Sequence, residues 1–278
     1  MASSLNKVSV IGNVGREPEL RYTPDGTPTT KFSVASNRVW TTPDGEKREE
    51  VEWFNVVTWR DLADKCSAHV TKGQKVYVEG RLQTRKWTDP QGVEKRFTDL
   101  IAYRVVILWK ARSTANGEEG AAPTDLEDID ETGNSGLANS LNCLMMIGTL
   151  TKDAETQHSA DGSPRTTFTI AVRRGWKTPD GEQKEETEIV NVVTFKKLAE
   201  TLSTNLSKGQ KVYVEGRMQS RKWTDQEGME RHMVNLVANQ VVFPFKPRAA
   251  AGGPPFPDAE PTAAPAEEGD ESGEEIPF

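Results

Sequence analysis

Apolar and polar positions alternate along several short stretches of the chain, which are separated by clusters of Pro, Asp and Gly. In the first hundred residues this alternation predicts five strands. The predicted strands cover residues 5–14, 29–39, 51–60, 74–87 and 97–109. Residues 61–70 lose β-branched density and space apolar side chains at i, i+4 and i+8, which predicts one short helix after the third strand.

The same pattern occurs twice. LNKVSVIGNV from Leu5 matches LNCLMMIGTL from Leu141, and KGQKVYVEGR from Lys72 returns from Lys208. Each match keeps the offset of 136 residues that separates Leu141 from Leu5. A solenoid is excluded, because its units run to only about 20–50 residues. The chain is therefore predicted to contain two copies of one domain.

Five strands with a helix between the third and the fourth are the element order of an OB-fold, a five-stranded Greek-key barrel that binds oligonucleotides or oligosaccharides. Other small barrels and an open sheet share this order, so the pattern alone leaves them open. We expect an all-β protein with one short helix per domain. Its two tandem OB-folds would span residues 1–112 and 137–246.

The segments outside the repeats have a different composition. Residues 113–136 are rich in Gly, Ser, Thr and acids, which predicts an acidic flexible linker. Residues 247–278 are rich in Pro, Gly, Ala and Glu, and they should form a disordered acidic tail because they cannot bury enough apolar surface to offset chain ordering. The apolar end, Ile276-Pro277-Phe278, is unusual for a tail that serves only solubility.

Charge is divided unevenly along the chain. The 35 Lys and Arg face 42 Asp and Glu, a formal net charge of −7. Residues 113–136 and 249–278 hold 15 of these acids and no base. The remaining chain is therefore basic, which commonly accompanies binding of a polyanion. Charge placed only for solubility is the alternative.

Several classes of protein are not expected from the sequence. No apolar run reaches the about 18 residues that a membrane-spanning helix needs, and the first residues lack the features of a secretory signal. Two Cys and three His are too few for a disulfide framework or a typical zinc site, so a reducing cytoplasm fits. Walker, HExxH and nucleophile-elbow motifs are absent, so we expect neither an enzyme nor a cofactor.

Aromatic and basic residues share one face of two predicted strands. Trp53 and Trp59 have the same parity on the third strand, whereas Phe54 and Val56 on its other face suit a core. The fourth strand places two Arg, one Gln and Trp87 on one face. This combination favours single-stranded nucleic acid, because every base can stack on a ring while cations follow the phosphates. A surface cation–π contact within the RKW segment is the alternative.

These residues resemble the bacterial single-stranded DNA-binding protein family, in its form with two OB-folds per polypeptide. The resemblance is carried by NKVSVIGNVGREPELRYTPDGT, the pair Glu52-Trp53, KGQKVYVEGRLQTRKWTD and the terminal EEIPF. It covers both repeats and the tail. It implies a non-catalytic protein that coats single-stranded DNA in replication, recombination and repair, with little sequence preference. An OB module for RNA or another oligomeric ligand would explain the aromatic face but not the EEIPF terminus.

The resemblance implies base stacking at matching aromatic positions of both repeats. These positions are Trp40, Trp53, Trp59, Trp87, Trp176, Phe195 and Trp223. Ile189 departs from the pattern at the position that matches Trp53, because an aliphatic side chain cannot stack comparably. The second repeat is therefore expected to bind DNA more weakly or along a different path.

Cations of both repeats are expected to contact phosphates. They are Lys7, Arg21, Arg38, Arg60, Lys72, Arg81, Arg85, Lys86, Arg96, Arg173, Arg174, Lys196, Lys197, Lys208, Arg217, Arg221 and Lys222. The second repeat loses one such contact where Cys143 replaces Lys7. It gains charge in its Arg-Arg and Lys-Lys pairs.

Two assemblies follow from the same resemblance. Replication, recombination and repair proteins are expected to dock at the tip formed by Glu274, Glu275, Ile276, Pro277 and Phe278. Family members with one OB-fold form homotetramers, so a chain with two OB-folds is expected to form a homodimer. The apolar run Leu144–Ile147 points to the first strand of the second repeat as a dimer contact. We expect the protein in the cytoplasm, associated with the nucleoid.

Overall fold

The computed structural model describes residues 4–42, 45–88, 94–109, 140–159, 162–178, 181–224 and 230–242. The predicted linker and tail, and most of the predicted margins of both domains, lie outside these residues. Within the described residues, no helix is long and apolar enough to cross a membrane.

The first repeat contains six strands and one helix. In chain order they are β1 (Leu5–Val14), β2 (Glu19–Tyr22), β3 (Pro28–Thr41), β4 (Lys47–Trp59), α1 (Asp61–His69), β5 (Lys75–Thr88) and β6 (Glu94–Trp109). The five predicted strands and the helix are confirmed. The short strand β2 was not predicted, because four mostly exposed residues show no apolar alternation.

The second repeat has the same elements in the same order. They are β7 (Leu141–Leu150), β8 (Glu155–His158), β9 (Pro164–Lys177), β10 (Gln183–Phe195), α2 (Lys196–Asn205), β11 (Lys211–Thr224) and β12 (Glu230–Val242). Three Gly of the first repeat have left-handed backbone, and each has a left-handed counterpart 136 residues later. The duplication therefore extends to the turns.

Each repeat closes into a barrel. In the first, the strand order is β2-β3-β4-β6-β5-β1, and β1 also pairs with β3. The β1–β3, β1–β5 and β3–β4 pairs are antiparallel, whereas β4 and β6 are parallel. The second repeat has the equivalent order β8-β9-β10-β12-β11-β7, closed by β7 and β9. This is the predicted OB-fold.

The closing strand needs a residue without a side chain where it passes from one neighbour to the other. A Cβ on Gly12 of β1 would lie 2.2 Å from the carbonyl oxygen of Ala35 in β3. A Cβ on Gly148 of β7 would lie 2.9 Å from the carbonyl oxygen of Ala171 in β9. The two strands can approach this closely only because glycine occupies both positions.

Alternate residues of each strand fill the barrel interior. Phe32 and Phe54 are the largest fully buried side chains of the first barrel, and Phe168 and Met146 are among the largest of the second. The helix packs at the end of each barrel through small or apolar side chains. The Thr30 hydroxyl donates to the Ala63 carbonyl oxygen at 2.8 Å, and an equivalent Thr–Ala bond of 2.8 Å recurs in the second repeat.

Candidate nucleic-acid interface

Strand β4 carries the first part of the predicted aromatic face, on the outside of the first barrel. The inward side chains of β4, such as Phe54 and Val56, are buried, whereas the outward Trp53 and Trp59 are exposed. Strand parity fixes this division, because successive side chains of a strand point to opposite faces. The predicted separation of core and surface is therefore confirmed for these four residues, whereas Val57, which shares the parity of the tryptophans, is buried.

The indole of Trp53 lies close to the backbone of Gly15. Trp53 is paired across the sheet with Ala35, whose side chain is small. A Cβ on Gly15 would lie 2.3 Å from Cζ3 of the Trp53 ring. The indole therefore contacts the Gly15 backbone, while 53% of the residue remains exposed. Such a ring is supported by the barrel and still accessible to a base.

Trp59 lines a shallow cleft at the end of β4. The residue is 37% exposed, and the cleft of about 310 Å³ is also lined by Thr23, Asp25, Thr27 and Arg60. The hydroxyls of both threonines donate to the Asp25 carboxylate and lower its pKa. The cleft therefore combines an aromatic ring and a cation with a carboxylate that stays ionised.

Arg60 has an unusual backbone conformation beside this cleft. Its φ of 56° and ψ of −139° lie in a region that favours glycine. Lys196, at the equivalent position of the second repeat, has a φ of 55°. In both repeats the strained residue is a cation at the junction between strand and helix. Each cation was predicted to contact phosphate.

Trp87 lies near the end of β5 and is 45% exposed. Arg85, on the same face of this strand, places its Nε 3.7 Å from a carboxylate oxygen of Asp99. Trp223 occupies the place of Trp87 in β11, but its side chain, like that of Lys222, lies outside the described residues. Trp87 thus extends the aromatic surface of the first repeat to a second strand.

Trp40 is placed differently from the other predicted stacking residues. Only 8% of it is exposed, and the Arg38 guanidinium carbon lies 4.5 Å from the ring centroid. In the second repeat Trp176 is half-buried, with Arg174 at 5.0 Å from its ring centroid. Stacking of a base on either ring would require the guanidinium to move. The stacking role of these two residues stays a prediction.

Three exposed aromatic residues were missed from the sequence: Tyr22, Phe97 and Tyr103. Tyr22 belongs to the short strand that the pattern did not predict. The Tyr103 hydroxyl donates to one oxygen of the Glu79 carboxylate at 3.1 Å, and the Tyr77 hydroxyl donates to the other at 3.1 Å. Outward parity of these residues along their strands was the available signal, but it does not separate a binding surface from solvent-facing positions.

The second repeat lacks most of this aromatic surface. At the offset of 136 residues, His158, Ile189, Met233 and Asn239 replace Tyr22, Trp53, Phe97 and Tyr103. Phe195 replaces Trp59 and is half-buried. Among the described side chains, the exposed aromatic residues therefore concentrate on the first repeat.

Many of the predicted phosphate-binding cations already have partners. Within the described part of the chain, ion pairs join Arg21 with Glu19, Arg38 with Glu50, Arg85 with Asp99 and Arg174 with Glu186. The predicted cations whose side chains are described divide into exposed and half-buried ones. The exposed ones are Arg21, Arg60, Lys72, Arg85, Lys86, Arg96, Arg174, Lys197 and Lys208. The half-buried ones are Lys7, Arg38, Arg81, Arg173, Lys196, Arg217 and Arg221.

The two repeats differ in charge next to their helices. Arg60 is followed by Asp61, and α1 has two acids in its first turn, whereas Lys196 is followed by Lys197 and α2 has none. Acids suit the positive end of a helix dipole, and cations oppose it. The second repeat therefore places two cations where they do not favour the helix.

Comparison with known proteins agrees with this geometry. The model of the single-strand binding protein family matches residues 5–108 and 141–244. A "Single-stranded DNA-binding protein 1" of Xylella fastidiosa is 40% identical over 131 residues, which are 45% of this chain and 96% of that protein. A single-stranded DNA-binding protein of Thermus aquaticus is 29% identical over the full length of both chains.

A solved structure shows the same fold. The crystal structure of the wild-type single-stranded DNA binding protein from Thermus aquaticus has a TM-score of 0.63 and 24% sequence identity. It matches 91% of this chain and 98% of the other. The similarity therefore extends over both barrels and confirms the predicted fold class.

The strained cation at the strand–helix junction can be tested by its effect on stability. Arg60→Gly should stabilise the first repeat by about 0.5–1 kcal/mol, since glycine adopts a positive φ without the Cβ penalty. Arg60→Ala removes the same charge and keeps the strained backbone, so it should not stabilise. Thermal unfolding by calorimetry measures both, and Lys196→Gly with Lys196→Ala repeats the comparison in the second repeat. Equal unfolding temperatures for the Gly and Ala variants would contradict the assignment of strain.

Proposed function

Because the chain belongs to the single-strand binding protein family, a family of binding proteins and not of enzymes, we propose that it coats single-stranded DNA during replication, recombination and repair. The observation that carries this proposal is the group of exposed rings on the first barrel, Trp53, Trp59 and Trp87, interleaved with cations. Its work would take place in the cytoplasm at the nucleoid.

The arrangement suits binding without sequence preference. Stacking of a base on an aromatic ring contributes about 1–3 kcal/mol and tolerates any base, because every base has a π-face. Cations around the rings interact with phosphates, which are the same at every nucleotide. Neither contact reads the edge of a base. The barrel therefore holds a strand by features that all sequences share.

Binding should depend both on the rings and on salt. Poly(dT) is expected to quench intrinsic tryptophan fluorescence, and affinity should fall as salt rises because phosphate contacts release counterions. The triple change of Trp53, Trp59 and Trp87 to Ala should weaken binding by about tenfold or more. The matched change of Ile189, Phe195 and Trp223 to Ala should cost less. Fluorescence titration at several salt concentrations measures both variants.

Two results would contradict this picture. Equal losses in the two triple variants would show that Ile189 is no handicap to the second repeat. Unchanged affinity in the Trp53, Trp59 and Trp87 variant would exclude stacking as the source of binding.

Competition among single-stranded DNA, duplex DNA and RNA of equal length tests the identity of the ligand. Preference for RNA would overturn the DNA assignment.

We further propose that the last residues dock other proteins of replication, recombination and repair. Glu274 and Glu275 precede the apolar residues Ile276, Pro277 and Phe278. A partner could hold the Phe278 ring in an apolar pocket and the glutamate carboxylates with Arg or Lys. The support for this proposal is the sequence of the tail alone.

Deletion of residues 270–278 separates docking from DNA binding. DNA affinity should remain or rise slightly, because the deletion removes acids that compete with phosphate for basic residues of the barrels. Binding of replication and repair proteins in pull-down experiments should be lost. Loss of DNA affinity in a folded, truncated chain would contradict the assignment of the tail, as would normal partner binding.

A homodimer is the assembly that we propose, because two chains would provide four OB-folds. The first strand of the second repeat supplies the proposed contact, but its residues divide between two faces. Met146 is fully buried inside the barrel, whereas Met145 is half-buried on the other face of β7. A charge at Met146 would unfold the barrel, so a residue of the other face, such as Met145, is needed to report on assembly.

Light scattering of the full chain should give about twice the chain mass of 30.8 kDa. Met145→Glu should shift the mass toward that of the monomer while the far-ultraviolet circular dichroism spectrum stays unchanged. Ser9→Glu is the matched change in the first repeat. A monomer or a tetramer of wild-type chains at micromolar concentration would refute the proposal of four OB-folds. A dimer that Met145→Glu leaves intact would exclude this strand as the contact.

A further inference from the structure

The residue that follows the closing strand, β1 or β7, differs between the repeats. In the first repeat this residue lies beside the indole of Trp53. Gly15 holds this place in the first repeat and Thr151 holds it in the second. We propose that this position decides whether a repeat can present an indole to a base. This inference rests on the proposed binding of single-stranded DNA.

Gly15 is required by space and not by backbone conformation. It is not one of the glycines with positive φ, so another residue could adopt its backbone. A Cβ at this position would lie 2.3 Å from Cζ3 and 2.8 Å from Cη2 of Trp53, and 3.0 Å from Oγ of Ser33. Any larger residue would therefore displace the indole ring. Gly15 acts as a positioning residue for Trp53.

Thr151 occupies the same backbone position in the second repeat. Its N–H donates to the Thr169 carbonyl oxygen at 3.0 Å, as the Gly15 N–H donates to the Ser33 carbonyl oxygen at 2.9 Å. The Thr151 hydroxyl lies 3.3 Å from the same Thr169 oxygen, so the side chain is directed at β9. The Thr151 side chain therefore starts in the space that the Trp53 ring fills in the first repeat.

The residue at the position of Trp53 also differs between the repeats. Ile189 pairs with Ala171 in the second repeat, as Trp53 pairs with Ala35 in the first. The small alanine is kept, whereas Gly with Trp has become Thr with Ile. Each repeat therefore has a matched pair, one residue small where the other is large. The second repeat therefore differs in two ways. It lacks the tryptophan, and the Thr151 side chain fills the space that an indole ring would need.

This closure predicts that an indole alone does not restore stacking. Ile189→Trp should leave affinity for oligo(dT) nearly unchanged, because Thr151 prevents the ring from reaching the pose of Trp53. The double variant Thr151→Gly/Ile189→Trp should gain about fivefold or more, the lower end of what one stacked base contributes. Thr151→Gly alone measures the effect of removing the threonine side chain.

The experiment uses the full chain labelled with 5-fluorotryptophan, so that each indole gives its own ¹⁹F resonance. The resonance of the indole introduced by Ile189→Trp should shift on addition of oligo(dT) in the double variant and not in the single variant. An equal shift in both variants would overturn the role of Thr151. No shift in either variant, with the Trp53 resonance still shifting, would also overturn it while the proposed function stands. If no indole responds to oligo(dT), the proposed stacking itself fails.

The reverse exchange tests the pair without DNA. Gly15→Thr should lower the unfolding temperature of the first repeat, because its side chain meets the Trp53 ring. Gly15→Thr/Trp53→Ile installs the pair of the second repeat and should recover most of that loss. If the double variant is no more stable than Gly15→Thr, the two residues are not a matched pair.

Discussion

Both repeats depend on one constraint, which is that a single strand must pair on two sides to close the barrel. β1 reaches β5 through most of its length and β3 only at its end, and glycine at the crossing lets the backbones approach. Closure fixes which residues of β3 and β4 point inward. It therefore also fixes the outward positions, where Trp53 and Trp59 stand. The proposed binding surface therefore follows from the way in which the strands enclose the core.

Duplication has kept the backbone features that shape the barrel, whereas side chains have changed on both of its faces. The hydrogen bond from Thr to the helix, the left-handed glycines and the glycine at the strand crossing occur at the same offset in both repeats. The outward positions have diverged, since Ile189 and Asn239 stand where the first repeat has Trp53 and Tyr103. Core positions have changed as well, since Met146 and Val190 stand where the first repeat has Val10 and Phe54, but these side chains remain apolar and buried because the interior is closely packed. Surface positions can also change their chemistry, so differences in function are expected there.

The features predicted correctly from the sequence are those that depend on the alternation of apolar and polar residues. Alternation on the third predicted strand separated Phe54 from Trp53 correctly, and the five strands and the helix followed from the same rule. It did not predict β2, whose four residues are too few to show a period. Trp40 has the wrong parity for the outer face and is covered by Arg38, a contact that the resemblance to a family could not reveal. The lack of room for a side chain at Gly15 was not predicted either, because it is caused by the Trp53 ring, which reaches Gly15 from β4.

The ion pairs give a reason to expect that the aromatic difference between the repeats affects DNA binding more than their difference in charge. Arg38 and Arg174 each lie near a carboxylate, at 3.7 and 3.9 Å. A phosphate that binds such an arginine replaces one ionic partner by another, and surface pairs of this kind are worth only about 0–1 kcal/mol. A base that stacks on Trp53 would gain a contact worth about 1–3 kcal/mol. Exchanging Trp for Ile is therefore expected to change DNA affinity more than rearranging cations that are already paired.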